Sequence, residues 1–172
     1  MISASTIALY SNATVTENFT NSGTMVGDVE LSGSVGGTFT NSGRIFGSID
    51  MKQGADTFDG RGGWVEGDVK GGLGDDLLRG GSSRDKLNGG VGNDTLRGSP
   101  SDSITDFVIG EDRVDLSGLQ PSLGYIGGGT FSGTAGEVQV TDQGTRSLIK
   151  VDVDGDSSWD MKIVVDGVTG LN

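Results

Sequence analysis

The sequence predicts an all-β protein, a parallel β-helix running into a parallel β-roll that is capped by C-terminal antiparallel strands. Three observations predict it. A step of about twenty residues recurs through the first part of the chain, and three nine-residue units follow one another without a gap at 71–97. The 172 residues also hold 33 glycines and only 2 prolines, a composition that favours turn-rich strands over helix.

The first element is the β-helix, read over residues 1–60. FTNSG occurs at 19–23 and again at 39–43. Beyond it Met25, Ile45 and Val65 align, as do Gly27, Gly47 and Gly67, and Val29, Ile49 and Val69. In the segment 24–31, Met25, Gly27, Val29 and Leu31 fall on one face, and Thr24, Asp28 and Glu30 on the other, the alternation of a half-buried strand. A single coil of this kind cannot bury its apolar face, and stacking makes a continuous narrow core. Ahead of these coils, residues 2–10 are expected to form an edge strand, with Ile2, Ala4, Thr6, Ala8 and Tyr10 alternating with Ser3, Ser5, Ile7 and Leu9.

The second element, 61–100, contains the units GGLGDDLLR, GGSSRDKLN and GGVGNDTLR, each near the pattern G-G-x-G-x-D-x-L-x. A glycine pair opens each unit, Asp76, Asp85 and Asp94 take the sixth place, and Leu78, Leu87 and Leu96 the eighth. Glycine permits a tight turn, the carboxylate follows it, and the leucine begins an inward-facing strand. Such nonapeptides read as a calcium-binding parallel β-roll.

These residues resemble the RTX nonapeptides of proteins exported by bacterial type I secretion. In that family two units make one turn, so units 18 residues apart stack and share a calcium ion. The resemblance implies one site from the carbonyls of Gly72 and Gly74 with Asp76, facing those of Gly89 and Val91 with Asp94. Six oxygens gathered from two loops suit a hard cation. Upstream, GADTF at 54–58 repeats the core of the unit and puts Asp56 twenty residues before Asp76. A second site between Asp56 and Asp76 is expected there, with Lys52, Gly54, Gly71 and Leu73 as carbonyl donors. Asp85 is a poorer candidate: at the 18-residue step it stacks on Gly67 and Ser103, neither of which carries a carboxylate.

The third element spans 101–172. SDSITDFVIGEDRVDLSGL at 101–119 is similar to the segment that follows the nonapeptides in serralysin-type secreted metalloproteases, through Asp102, Ile104, Asp106, Phe107, Gly110, Asp112, Val114, Asp115, Leu116 and Ser117. The likeness continues at 131–138 and 147–168. It implies antiparallel strands closing the roll, with the final turn packed under Phe107 and Leu116. Between strands expected at 147–153 and 161–165, DVDGDSSWD places Asp152, Asp154, Asp156, the carbonyl of Ser158 and Asp160 at positions 1, 3, 5, 7 and 9 of an EF-hand-like loop. Ser157 and Ile163 depart from that pattern at positions 6 and 12. The competing reading is a solvated acidic turn.

Composition excludes several function classes. No histidine is present, so zincin motifs and Ser-His-Asp or Cys-His arrangements are excluded, and the expectation is that the chain is not an enzyme. A net charge of −12 argues against nucleic acid despite Arg79, Arg84, Lys86 and Arg97 in the nonapeptides. No apolar run reaches the roughly 18 residues of a membrane span. Without cysteine no disulfide can staple the fold, which leaves that role to calcium. No basic region precedes the short apolar run of MISASTIALYSNATV, so no cleavable signal peptide is expected. The RTX resemblance implies instead the type I secretion machinery of a Gram-negative bacterium and an extracellular or cell-surface location. The expected role is a structural protein self-associating into a surface layer or filament; the alternatives are the C-terminal secretion and folding module of a larger secreted enzyme, or a polysaccharide-binding module in which Trp64 and Trp159 are sugar platforms rather than partly buried aromatics at a coil edge.

Overall fold

A computed structural model of the chain describes residues 7–11, 16–31, 33–120 and 122–171. Their regular structure is entirely β. The first coil consists of β1 (Ile7–Ser11), β2 (Asn18–Asn21) and β3 (Thr24–Val26), and the second of β4 (Asp28–Leu31), β5 (Thr38–Asn41) and β6 (Arg44–Phe46). The third comprises β7 (Ile49–Asp50), β8 (Thr57–Asp59) and β9 (Trp64–Val65). β10 (Asp68–Leu73) leads into the nonapeptides, which supply β11 (Leu77–Arg79), β12 (Lys86–Val91) and β13 (Thr95–Arg97). The remaining strands are β14 (Ser103–Ile104), β15 (Arg113–Val114), β16 (Gly124–Tyr125), β17 (Glu137–Asp142), β18 (Arg146–Asp152) and β19 (Met161–Asp166).

Parallel pairing stacks like on like. Phe19 lies on Phe39 and Phe39 on Phe58, with ring centroids 6.3 Å apart at both steps, and Leu78, Leu96 and Val114 continue the row. On the facing sheet Val29, Ile49, Val69, Leu87 and Ile104 form the opposite wall. Met25, Ile45 and Val65 make a third wall in the first three coils only. The solenoid is therefore three-sided where the step is 20 residues and two-sided where the nonapeptides shorten it to 18.

The segment 24–31 is not one strand, as its alternation suggests. It breaks at Gly27 (φ 114°) into β3 and β4, which belong to different sheets. The glycine takes a left-handed corner that a side chain would strain, so the inward face is kept while the chain changes direction. Of the expected N-terminal edge strand, residues 2–6 lie outside the described ones. Its continuation, β1, pairs in parallel with β4.

At the other end β14 pairs in parallel with β19, and β19, β18 and β17 then run antiparallel as an extension of the same ten-stranded sheet. Phe107 is buried and Leu116 half-buried against the core, closing the last turn as expected. The core is a narrow stack of such rows, so it has little room to relax around a deletion. Phe58→Ala, which removes a side chain with 0 % exposure where the aromatic row meets the leucines, should cost about 3–5 kcal/mol in calcium, read as a fall in denaturant midpoint.

Candidate metal centre

The turns before β8, β11 and β13 place Asp56, Asp76 and Asp94 one above another on one corner of the solenoid. Each carboxylate accepts an amide from the preceding coil through Oδ1: Asp56 from Gly37 (2.5 Å), Asp76 from Asp56 (2.7 Å) and Asp94 from Asp76 (2.8 Å). Asp112 ends the ladder, accepting from Asp94 at 3.0 Å through Oδ1 and from Val108 at 2.7 Å through Oδ2. The second oxygens of Asp56, Asp76 and Asp94 are buried with no hydrogen-bond partner.

The glycine pairs make room for those oxygens. A methyl group on Gly71 would stand 2.2 Å from Asp76 Oδ2 and 2.6 Å from the Gly89 carbonyl oxygen, and one on Gly89 would stand 2.3 Å from Asp94 Oδ2. Carbonyls file along the same edge. The Lys52 and Gly54 oxygens point at Gly72 and Gly74, where a methyl would lie 2.1 and 2.2 Å away, and the Gly72 and Gly74 oxygens point likewise at Gly90 and Gly92. Lys52, Leu73 and Val91 each accept one amide through their carbonyls, from Leu73, Gly54 and Gly74 respectively, and keep a second lone pair. Carboxylate and carbonyl oxygens of adjacent coils thus crowd one corner from which side chains are excluded, a donor set that fits calcium.

The opposite edge corrects the reading of Asp85. On its downstream side it faces Asp102, not Ser103: the last step is 17 residues, and the Asp85 amide donates to Asp102 Oδ1 at 2.8 Å. The turn Ser99–Pro100–Ser101 is tightened by the Asp102 amide bonded to the Ser99 carbonyl, the Ser99 amide bonded to Asp102 Oδ2, and a left-handed Ser101 (φ 83°). Asp102 and Asp106 are acidic groups of the site region that a count in steps of 18 residues does not select, whereas Asp112, 18 residues after Asp94, continues that count. Asp106 accepts the amides of Gly89 and Gly90 at 3.0 and 2.6 Å, so the D-x-I-x-D-F motif was the available sign.

The loop 152–160 brings carboxylate oxygens of Asp152, Asp154 and Asp156 within 4.8 Å of one another. Ser157, at the position where glycine is usual, has φ 71°. Asp160 takes the amides of Val153 and Asp154 and holds the loop closed, while the amide of Ser158 donates to Asp156.

Burial raises Asp56 to about 6 and Asp76 and Asp102 to about 7, against amide bonds that pull the other way. It also raises Asp85, Asp94 and Asp106. A carboxyl raised in the folded state binds more protons there than in the unfolded chain. Its stabilisation is therefore present below pH ~4 and lost as pH climbs through 6–7. With no calcium, the chain should be more resistant to heat at pH 5 than at pH 8, and millimolar calcium should reverse that order. Thermal melts followed by circular dichroism at the two pH values check it.

The sequence profile described as "Peptidase M10 serralysin C terminal" matches residues 37–171. The chain belongs to this family. Its serralysin-type domain is an RTX-type β-solenoid, as the nonapeptides implied. Solved structures that align with it include two subunits of one enzyme. The AlgE6R3 subunit from the Azotobacter vinelandii mannuronan C5-epimerase is 30 % identical, over 81 % of this chain and 71 % of that one, with a TM-score of 0.40. The AlgE6R2 subunit of the same enzyme is 26 % identical, over 78 % and 84 %, with a TM-score of 0.44. No curated protein matches the chain.

Proposed function

We propose that the serralysin-type domain is a non-enzymatic calcium-binding module of a secreted protein, exported unfolded and folded outside the cell by calcium. The observation that carries this reading is the ladder of buried, unpartnered oxygens on Asp56, Asp76 and Asp94. Unpaired carboxylates are costly to bury, so the charged ladder needs cations between its coils. The ligand groups are those of two stacked sites, Asp56 with Asp76 and Asp76 with Asp94, joined by the carbonyls of residues 52, 54, 71, 72, 73, 74, 89 and 91. Asp85 and the loop of Asp152, Asp154, Asp156, Ser158 and Asp160 are further candidates. Residues 1–60, 61–100 and 101–172 then act as helix, calcium roll and cap. Family membership supports an extracellular location in a Gram-negative bacterium and a route through the type I secretion machinery. Calorimetric titration of the chelated chain with calcium tests the reading. Uptake of two or more ions with a gain of β signal is expected, and a chain that binds none would overturn it.

A second reading, self-association into a surface layer or filament, is favoured by the position of the first-coil strands at the sheet edges. Among the described residues β1, β2 and β3 each end their sheets with one neighbour, and Tyr10 on β1 is 58 % exposed. Such an edge pairs with another chain. Light scattering at rising calcium should show growing particles, and a protein that stays monomeric at millimolar calcium excludes this role. Polysaccharide binding through Trp64 or Trp159 is the alternative. Trp64 packs edge-on against Phe46 at 5.2 Å, and Trp159 is exposed beneath Lys162.

A further inference from the structure

The aspartate ladder is interrupted at Gly37. Asp56, Asp76 and Asp94 each follow the turn of their coil, but the coil before Asp56 offers a glycine there and no side chain. The coil before that carries Glu17, whose carbonyl takes the Thr38 amide as the Gly37 carbonyl takes that of Thr57. Beside Gly37 there is a cavity of about 10 Å³, bordered by both Glu17 and Asp56. That is room for one body the size of a water molecule. Glycines 33, 36 and 37 wall it with backbone alone, and Leu31 and Met51 close its inner side.

Two carboxylates of this cavity are incompletely satisfied. Asp56, 4 % exposed, gives Oδ1 to the Gly37 amide, and Glu17 accepts the Ser11 hydroxyl through Oε1. The remaining oxygens, Asp56 Oδ2 and Glu17 Oε2, are both buried with no partner. Among the described residues no lysine or arginine forms an ion pair with either.

We infer that Glu17 and Asp56 hold a cation in the cavity under Gly37, a site outside the nonapeptides and one coil beyond the expected pair of Asp56 and Asp76. A small hard cation that prefers carboxylate and peptide oxygens suits it, and calcium is the one the roll itself implies. Glu17 precedes the segment matched by the family profile, so the ion would tie the first coil to the serralysin-type domain. The inference rests on the calcium reading above but on a residue that reading does not use.

The test is calcium binding to the full chain with and without Glu17→Gln. The substitution keeps the shape and removes one charge. One ion fewer per chain is expected, with the calcium midpoint for regaining β signal unchanged. In chelator the variant should keep at least as much β signal as wild type, and in calcium it should melt below the wild-type temperature. An unchanged number of ions, or a variant more stable than wild type in calcium as well, would overturn the site while leaving the roll intact. A wild-type chain that takes up no calcium would overturn both. Should Glu17→Gln not fold, Glu17→Asp, which withdraws the charge by one methylene, decides the matter. A tenfold weaker affinity at one site supports the inference, and unaltered binding at every site rejects it.

Discussion

Chelating calcium is expected to abolish most of the far-UV β signal of this protein at pH 7.5, and returning calcium to millimolar level should restore it. The reason is the corner where Asp56, Asp76 and Asp94 stack, each burying an oxygen with no partner. Adjacent strands lie only about 4.8 Å apart, so these carboxylates repel one another and can ionise together only with a cation between coils. At free calcium a hundredfold above the dissociation constant, each ion adds about 2.7 kcal/mol. Two such ions supply about 5 kcal/mol, comparable with the entire net stability of a small domain. The acidic chain, with net charge −12 and no disulfide, has no covalent restraint to hold the coils together once the ions leave. A β signal unaltered by chelator would remove the ladder's proposed role.

Asp76→Ala is expected to be the most damaging single change at the site. Asp76 sits in the middle of the ladder: its Oδ1 takes the Asp56 amide, its own amide donates to Asp94, and its second oxygen shares the space over Gly71 with the Gly89 carbonyl. The substitution strands the buried Asp56 amide and removes a ligand from both proposed sites. The calcium midpoint for folding should rise at least tenfold, about 1.4 kcal/mol or more. Asp75→Ala is the matching control, because the Asp75 side chain is exposed and bonds only the neighbouring turn at Asn93, so its effect should stay within about 0.5 kcal/mol. Without calcium the sign changes: Asp76→Asn, which keeps the size and removes the charge, should make the chelated chain more stable than wild type. Calcium titrations followed by circular dichroism separate the cases, and equal midpoints for Asp76→Ala and Asp75→Ala would refute this account.

Much of this was legible without coordinates because a parallel solenoid writes its register into the chain. When like residues stack, a step of 20 or 18 residues in the sequence is one strand spacing in space, so Phe19 over Phe39 and Asp76 over Asp94 follow from counting. The count fails where a turn changes length. Counting by 18 gives Ser103 as the partner of Asp85, and the left-handed turn at Ser101 shortens that step by one residue so that Asp102 stands there instead. The corner at Gly27 was hidden for a different reason. Inward and outward residues alternate through it as they would in a straight strand, and only the direction of the chain reveals two sheets.

The sequence by itself determined the all-β class, the stacked core, the nonapeptide turns and the aspartates that face one another at steps of 20 and 18 residues. All of these are local patterns repeated at fixed intervals, and repetition makes neighbours in sequence steps neighbours in space. Only the tertiary structure decided which carboxylate oxygens are left without partners, that Asp102 meets Asp85, and that Glu17 and Asp56 border one cavity. Those facts depend on side-chain burial and on hydrogen bonds between coils, which exist only when the coils close on each other.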